Sequence, residues 1–306
     1  RVSGKLYLSI YYEYMVPFDD HSRWLPSILA SDLAALLNNS DGLRYLHIKN
    51  VEISGEIQSL IDAIEKLEDL EAFVARECAF HSKQMAAALS KLPKLETLEI
   101  TGHKSHRDEE IPIPIFTQAI LRNPLKELDL DQGNFSDVAR ATEFFQAVHV
   151  STSIRKLRIG GRLSDPVVAC IGEMLSHNSS LQSLQLSIRA GNISLAPLAA
   201  GLDNNTALTT LEILVGFTRR ESDLECFYHS LKSKNFTLKR LKICRRMGFV
   251  DRKHDDISVF GIESEMARKI NFFLALNRLG RFHLLNDANH ATTSEDWFSA
   301  IAEEKD

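Results

Sequence analysis

Two histidines three residues apart, His103 and His106, stand beside Asp108, Glu109 and Glu110. Imidazole and carboxylate are both divalent-metal ligands, so this is the chain's nearest approach to a metal site. No third ligand follows at a defined spacing, and Lys104 and Arg107 set positive charge among the donors. A solvated charged loop is the better reading. A metal-dependent regulator or enzyme built on His103 and His106 stays open as the alternative function. Gly160-Gly161-Arg162 resembles a phosphate cradle but lacks the spacing of a nucleotide-binding loop, and it reads as a tight turn after a strand. No G-x-S-x-G or H-E-x-x-H string and no convincing Cys/His pairing occurs. The chain is therefore read as a non-enzyme, with no catalytic residue, no bound metal and no cofactor assigned.

Composition narrows the partners. The formal net charge is −5 and the isoelectric point about 6.1, so no overall basic field attracts nucleic acid or acidic membrane. Basic groups at Arg219-Arg220, Arg245-Arg246 and Arg252-Lys253-His254 carry no interleaved aromatics on which bases could stack. No apolar stretch reaches the roughly 20 residues that span a bilayer, so no membrane insertion is expected. The cysteines Cys78, Cys170, Cys226 and Cys244 are far apart and form no C-x-x-C pair. They read as thiols in a reducing intracellular compartment, which the sequence does not specify further. The sequons at Asn38, Asn178 and Asn192 read as turn and cap residues.

The elements that must position any site are announced by a six-residue string with apolar first, fourth and sixth places. It begins at Leu43, Leu70, Leu95, Leu125, Ile154, Leu181, Leu208 and Leu238, with spacings of 27, 25, 30, 29, 27, 27 and 30 residues. One such string means little, but eight at a near-constant period mark a repeat architecture. Alternation sends the fourth and sixth residues to one face of a strand and the third, fifth and seventh to the other. Parallel strands need crossovers of a dozen or more residues. Helical spacing fills them at Ile57, Leu60, Ile61, Ile64 and Leu67, at Val168, Ile171, Met174 and Leu175, and at Leu224, Phe227, Tyr228 and Leu231. Ser164-Asp165-Pro166 predicts a helix start with Pro in its first turn, and Ser222 with Glu225 predicts a capping box. Asn178, Asn205 and Asn235 each precede a string by three residues, where a left-handed asparagine would end a helix.

A period near 28, a full helix per unit, and Asn before L-x-x-L-x-L resemble the ribonuclease-inhibitor-like class of leucine-rich repeats. The resemblance covers residues 43 to about 245. It implies an α/β fold: a horseshoe solenoid with parallel strands on the concave face, helices on the convex face, and protein binding as its function. One feature departs from the class. Asn or Cys usually stands three residues after the sixth position, and only Cys78 does so here, the others being Val51, His103, Gly133, Arg162, Arg189, Gly216 and Arg246. Irregular, individually stabilised loops are expected after the strands.

Three regions follow: a divergent N-terminal capping repeat at 1–42, an array of about eight units at 43–250, and a helical C-terminal cap at 251–306. The alternating Leu6 to Val16 predicts a long first strand, and Pro26 to Asn39 predicts a helix with Ile28, Leu29, Leu33, Leu36 and Leu37 apolar. Four of the six tyrosines lie within residues 7–14, where capping and a partner surface both remain open readings. Met266, Ile270, Phe273, Leu274 and Leu276 define a capping helix. Trp297, Phe298 and Ile301 define a short amphipathic segment that reads as a docked lid. Ile111-Pro-Ile-Pro-Ile115 reads as a stiff connector.

The function this supports is a non-catalytic protein-interaction scaffold, a candidate subunit of a larger assembly. It would bind through the concave face or a terminal cap. The outward positions that could meet a partner are Tyr45, His47, Glu99, Glu127, Asp129, Asp131, Lys156, Arg158, Glu212, Arg240 and Lys242. Neighbouring strands about 4.8 Å apart predict lateral ion pairs Glu127–Lys156, Asp129–Arg158 and Glu212–Lys242. That leaves Glu99, Asp131 and Arg240 as the unneutralised edges.

Overall fold

The computed structural model describes residues 6–11, 27–78, 82–102, 113–130, 135–188, 193–215, 221–245 and 265–280. Parallel strands alternate with helices in two compact units, Arg1–Arg162 and Leu163–Asp306.

The first unit runs β1 (Leu6–Tyr11), β2 (Ser27–Leu29), α1 (Ala30–Asn38), β3 (Leu43–Lys49), β4 (Glu52–Ser54), α2 (Gln58–Glu65) and β5 (Ala72–Cys78). It continues with α3 (Ser82–Leu89), β6 (Thr97–Gly102), α4 (Ile113–Arg122), β7 (Glu127–Leu130), α5 (Val138–Val150) and β8 (Lys156–Gly161). Its main sheet has the order β1-β3-β5-β6-β7-β8, with neighbouring strands parallel. Every string of the repeat in this unit lies on a strand. After the first, each strand begins two residues into its string, because the opening apolar residue anchors the turn beneath the sheet. Leu70, Leu95, Leu125 and Ile154 are fully buried in that role. The inward pairs Leu46/Ile48, Phe73/Ala75, Leu98/Ile100, Leu128/Leu130 and Leu157/Ile159 form the core against the helices. A cluster of Phe135, Phe144 and Phe145, with ring centroids 5.3–5.8 Å apart, closes the core under α5. Asp137 caps that helix by accepting from the Ala139 and Arg140 N–H groups.

Several local expectations are corrected. Residues 27–29 of the predicted Pro26–Asn39 helix form a short strand paired with β4, and Leu29 and Leu36 are about half exposed. Ile113 to Ile115 are not a connector: they are the first turn of α4, where Pro114 needs no N–H partner. Gly160 and Gly161 continue β8 instead of forming a turn, and Gly161 takes φ 146°, a backbone that side chains disfavour. The predicted first strand is described only as Leu6–Tyr11.

The second unit runs α6 (Asp165–His177), β9 (Ser183–Ile188), α7 (Ala196–Leu202), β10 (Thr210–Val215), α8 (Glu221–Ser233), β11 (Arg240–Arg245) and α9 (Glu265–Arg278). Strand β10 lies between β9 and β11, parallel to both. Leu184, Leu186, Leu211 and Ile213 are fully buried on the inward face. Pro166 lies in the first turn of α6 as predicted. Ser222 lies inside α8, which begins at Glu221, so Ser222 is not the N-cap residue that the capping box required. Helices α6 and α7 touch through glycine. A Cβ on Gly172 would stand 2.3 Å from the Pro197 carbonyl oxygen, and one on Gly201 would stand 2.3 Å from that of Gly172. Of the predicted capping face of α9, Ile270, Leu274 and Leu276 are buried, while Met266 and Phe273 are only partly covered.

The asparagines before the strings do not end helices in the left-handed conformation. Asn178 is extended, at φ −74° and ψ 124°, and among described non-glycine residues only Asn50 has positive φ. Their side chains tie the second unit together instead. Asn205 Nδ2 donates to the Leu175 and Asn178 carbonyls at 2.7 and 2.9 Å, and its Oδ1 accepts from the Ala207 and Leu208 N–H groups. Asn235 repeats the pattern on Leu202, Asn205, Thr237 and Leu238. Asn178 Oδ1 accepts from the Ser180 and Leu181 N–H groups, and Asn277 of α9 donates to the Asn235 and Leu238 carbonyls. An asparagine ladder therefore precedes the strands of this unit.

Candidate functional site

The outward faces of the strands carry the predicted partner residues, and the two units share them out. In the first unit the parallel register makes three rows. One row begins Tyr7–Tyr45–Ala72–Thr97–Glu127–Lys156, the next runs Ser9–His47–Val74–Glu99–Asp129–Arg158, and the third includes Lys49, Arg76 and Thr101. These rows follow directly from period-two alternation in strands that share a register.

Two predicted ion pairs form. Lys156 Nζ lies 2.6 Å from Glu127 Oε1, and Arg158 Nη1 lies 3.2 Å from Asp129 Oδ2. Two residues expected to remain unpaired do not. Glu99 receives a two-pronged bond from Arg76, whose Nη2 donates to Oε2 at 2.6 Å and whose Nε donates to Oε1. In the second unit Arg240 Nε stands 3.8 Å from Glu212 Oε1, whereas Lys242 faces Glu212 in register without an ion pair between them. Both corrections have one cause. Arginine spans the diagonal between adjacent strands, about 7–8 Å between Cα atoms, which the lateral pairing rule leaves out. Arg76 was missed because it is one row away from its partner. Asp131, His103 and His106 lie outside the described residues. Among the described residues no group of three or more His, Cys, Asp or Glu could hold a metal ion, and none of the four cysteines is joined in a disulfide.

Tyr7, left open in the sequence between a cap and a partner surface, was not expected to face Tyr45. It sits opposite Tyr45 in register, their ring centroids 6.2 Å apart, and it is 58% exposed. The alternation of Leu6-Tyr7-Leu8-Ser9-Ile10 carried the signal, since it puts Tyr7 and Ser9 on the face opposite Leu8 and Ile10. Around this pair the polar groups are already fixed. Tyr45 Oη donates to Glu71 Oε2 at 2.9 Å, and Arg44 Nη1 holds Glu71 Oε1 at 3.0 Å. Tyr7 Oη lies 3.5 Å from His47 Nδ1, and His47 Nε2 is buried with no hydrogen-bond partner. Burial pushes the His47 pKa below its ordinary value, helped by the positive charges of Arg76 and Lys49 and opposed by Glu99. The Arg76 guanidinium holds its proton more tightly than usual, chiefly through its bonds to Glu99. The result is an aromatic pair at one end of the sheet, Tyr7 exposed and Tyr45 half-buried, followed by strands whose charges neutralise one another.

No family model matches the chain, and no curated protein matches it. Two solved structures are similar in strand–helix class. One is leiomodin-1 actin-binding site 2, at 18% identity over 55% of this chain and 90% of that one, with TM-score 0.40. The other is a tropomodulin C-terminal domain from Caenorhabditis elegans, at 14% identity over 57% of this chain and 99% of that one, with TM-score 0.35. Scores this low carry no inference about function.

Proposed function

We propose that the chain is a leucine-rich-repeat protein of the ribonuclease-inhibitor-like class. In this reading it is a non-catalytic scaffold that binds another protein on the outward strand face of its first unit. The observation that carries it is the Tyr7–Tyr45 pair at one end of the strand rows, with Tyr7 exposed and Tyr45 half-buried beside it. Tyrosine presents a large amphipathic surface at low entropic cost, and interface hot spots favour Tyr, Trp and Arg. The neighbouring Glu71, Arg44, Arg76 and Glu99 are held by each other or by Tyr45, so little side-chain order is lost on docking. The charged rows on β6, β7 and β8 supply a polar rim, which serves specificity more than affinity.

The test is affinity purification of the tagged full chain, followed by direct binding of the recovered protein to wild-type and Tyr7→Ala/Tyr45→Ala forms. Loss of hot-spot anchors predicts affinity weaker by about 30-fold or more. Binding of the double variant at wild-type strength would remove this face as the site.

A further inference from the structure

Charge is matched differently on the strand faces of the two units. In the first unit acids and bases on neighbouring strands pair: Arg44 with Glu71 at 3.0 Å, Lys126 with Glu96 at 2.7 Å, and Lys156 with Glu127 at 2.6 Å. In the second unit the register lays out three outward rows, Ser183–Thr210–Arg240, Gln185–Glu212–Lys242 and Ser187–Leu214–Cys244. The positive charge of these rows lies on β11 alone. Lys239, one residue before β11, adds to it, because the same place holds uncharged Thr209 and Gln182 in the two preceding turns. Lys126 stands at the equivalent place in the first unit and has Glu96 beside it. Lys239 has Thr209, whose carbonyl accepts its backbone N–H at 2.8 Å. Among the described residues of this face, the single carboxylate of Glu212 stands against three cations. It lies 3.8 Å from Arg240 Nε and forms no ion pair with Lys242 opposite it. Lys239 and Arg240 are exposed and Lys242 partly so, and the Arg240 side chain keeps 52% of its surface despite that contact. A contact so long on so exposed a side chain is readily exchanged for another.

We propose that the outward face of β9, β10 and β11 is a second binding surface, on the other unit from the Tyr7–Tyr45 pair, and that it takes an extended acidic segment of a protein partner. Strand geometry sets the pattern of that segment. Arg240 and Lys242 stand two residues apart on one face of β11, about 7 Å along the strand. Carboxylates at every second residue of an extended segment lying along β11 repeat that spacing and meet both cations. The side chains of Ser183, Gln185 and Thr210 offer hydroxyl and amide groups to its backbone. A nucleic-acid strand suits the face less well. Its described rows hold no aromatic side chain on which bases could stack, and Glu212 sets a negative charge among the three cations.

Fluorescence anisotropy of a labelled peptide alternating Asp and Ser, titrated with the full chain at low ionic strength, tests this. The peptide should bind, and added salt should weaken it. Arg240→Glu/Lys242→Glu, with the fold checked by circular dichroism, should lower affinity by about tenfold or more. Glu212→Gln removes the competing carboxylate and should tighten binding several-fold, a gain that no loss of structure would produce. Tyr7→Ala/Tyr45→Ala should leave the affinity unchanged, which separates this surface from the face of the proposed function. Absence of binding, or binding indifferent to Arg240→Glu/Lys242→Glu, overturns the proposal. So does weakening by Glu212→Gln or by Tyr7→Ala/Tyr45→Ala. Tighter binding of an oligouridylate of equal charge overturns it as well, because the face would then be a nucleic-acid site.

Discussion

In Leu163–Asp306 each strand is reached past a buried asparagine; in Arg1–Arg162 the same place, three residues before the string, holds Ser40, Leu67, Leu92, Arg122 and Ser151. The backbone there has the same difficulty in both units, because the chain leaves a helix and starts a strand under cover of the core, with amides to satisfy. The second unit answers from one of its own turns to the next. Asn205 and Asn235 each bind two carbonyls of the preceding turn and two amides of their own. The first unit answers mostly locally. Leu43, Leu70 and Leu95 donate to the carbonyls of Ser40, Leu67 and Leu92, and Ile154 N–H reaches Ser151 Oγ at 3.4 Å. Leu67 and Leu92 then contribute apolar burial where asparagine would contribute bonds. Thus the second unit is joined from turn to turn by repeated asparagine bonds, and the first mainly by packing, with one long bond from the buried Asn123 Nδ2 to the Leu89 carbonyl at 3.5 Å.

The largest effect that tests this contrast is Asn205→Ala. Four bonds are lost at a residue only 4% exposed, which should cost about 3–5 kcal/mol at the usual net value per bond. Denaturant melting would measure it, and a loss below about 1 kcal/mol would show that the ladder is decorative. Next comes Gly172→Ala, which must push α6 off Pro197. Overpacking of this kind predicts a loss of about 1–3 kcal/mol, readable in the same melts. Ser151→Ala, the first unit's counterpart of Asn205→Ala, removes the Oγ contacts with Ile154 N–H at 3.4 Å and Ser153 Oγ at 3.2 Å and should cost about 1–2 kcal/mol, less than Asn205→Ala. If Ser151→Ala and Asn205→Ala proved equal, the contrast between the units would fail.

The smallest effect concerns pH. The folded His47 pKa lies below 6.5, so folding favours the neutral ring. As pH falls through the unfolded value the unfolded chain takes up the proton first, and the first unit loses stability until the folded ring also protonates. NMR titration of His47 should show a midpoint below the ordinary histidine value, and His47→Gln should flatten the acid slope of stability. A midpoint at or above 6.5 would contradict the burial of this ring.

The sequence by itself determined the strands of the repeated strings and which way their side chains face. Alternation is a property of a single strand, so Leu184 inward and Glu127 outward could be read without any neighbour. It also determined the lateral pairs Glu127–Lys156 and Asp129–Arg158, because a shared register fixes what lies opposite. Only the tertiary structure decided that Arg76 takes Glu99 and that Arg240 takes Glu212. Side-chain reach across a diagonal depends on rotamers that no spacing encodes. It alone also gave Asn205 its work. The spacing marked the residue, but the carbonyls it binds, Leu175 and Asn178, come within reach only when one turn of the chain is laid against the next.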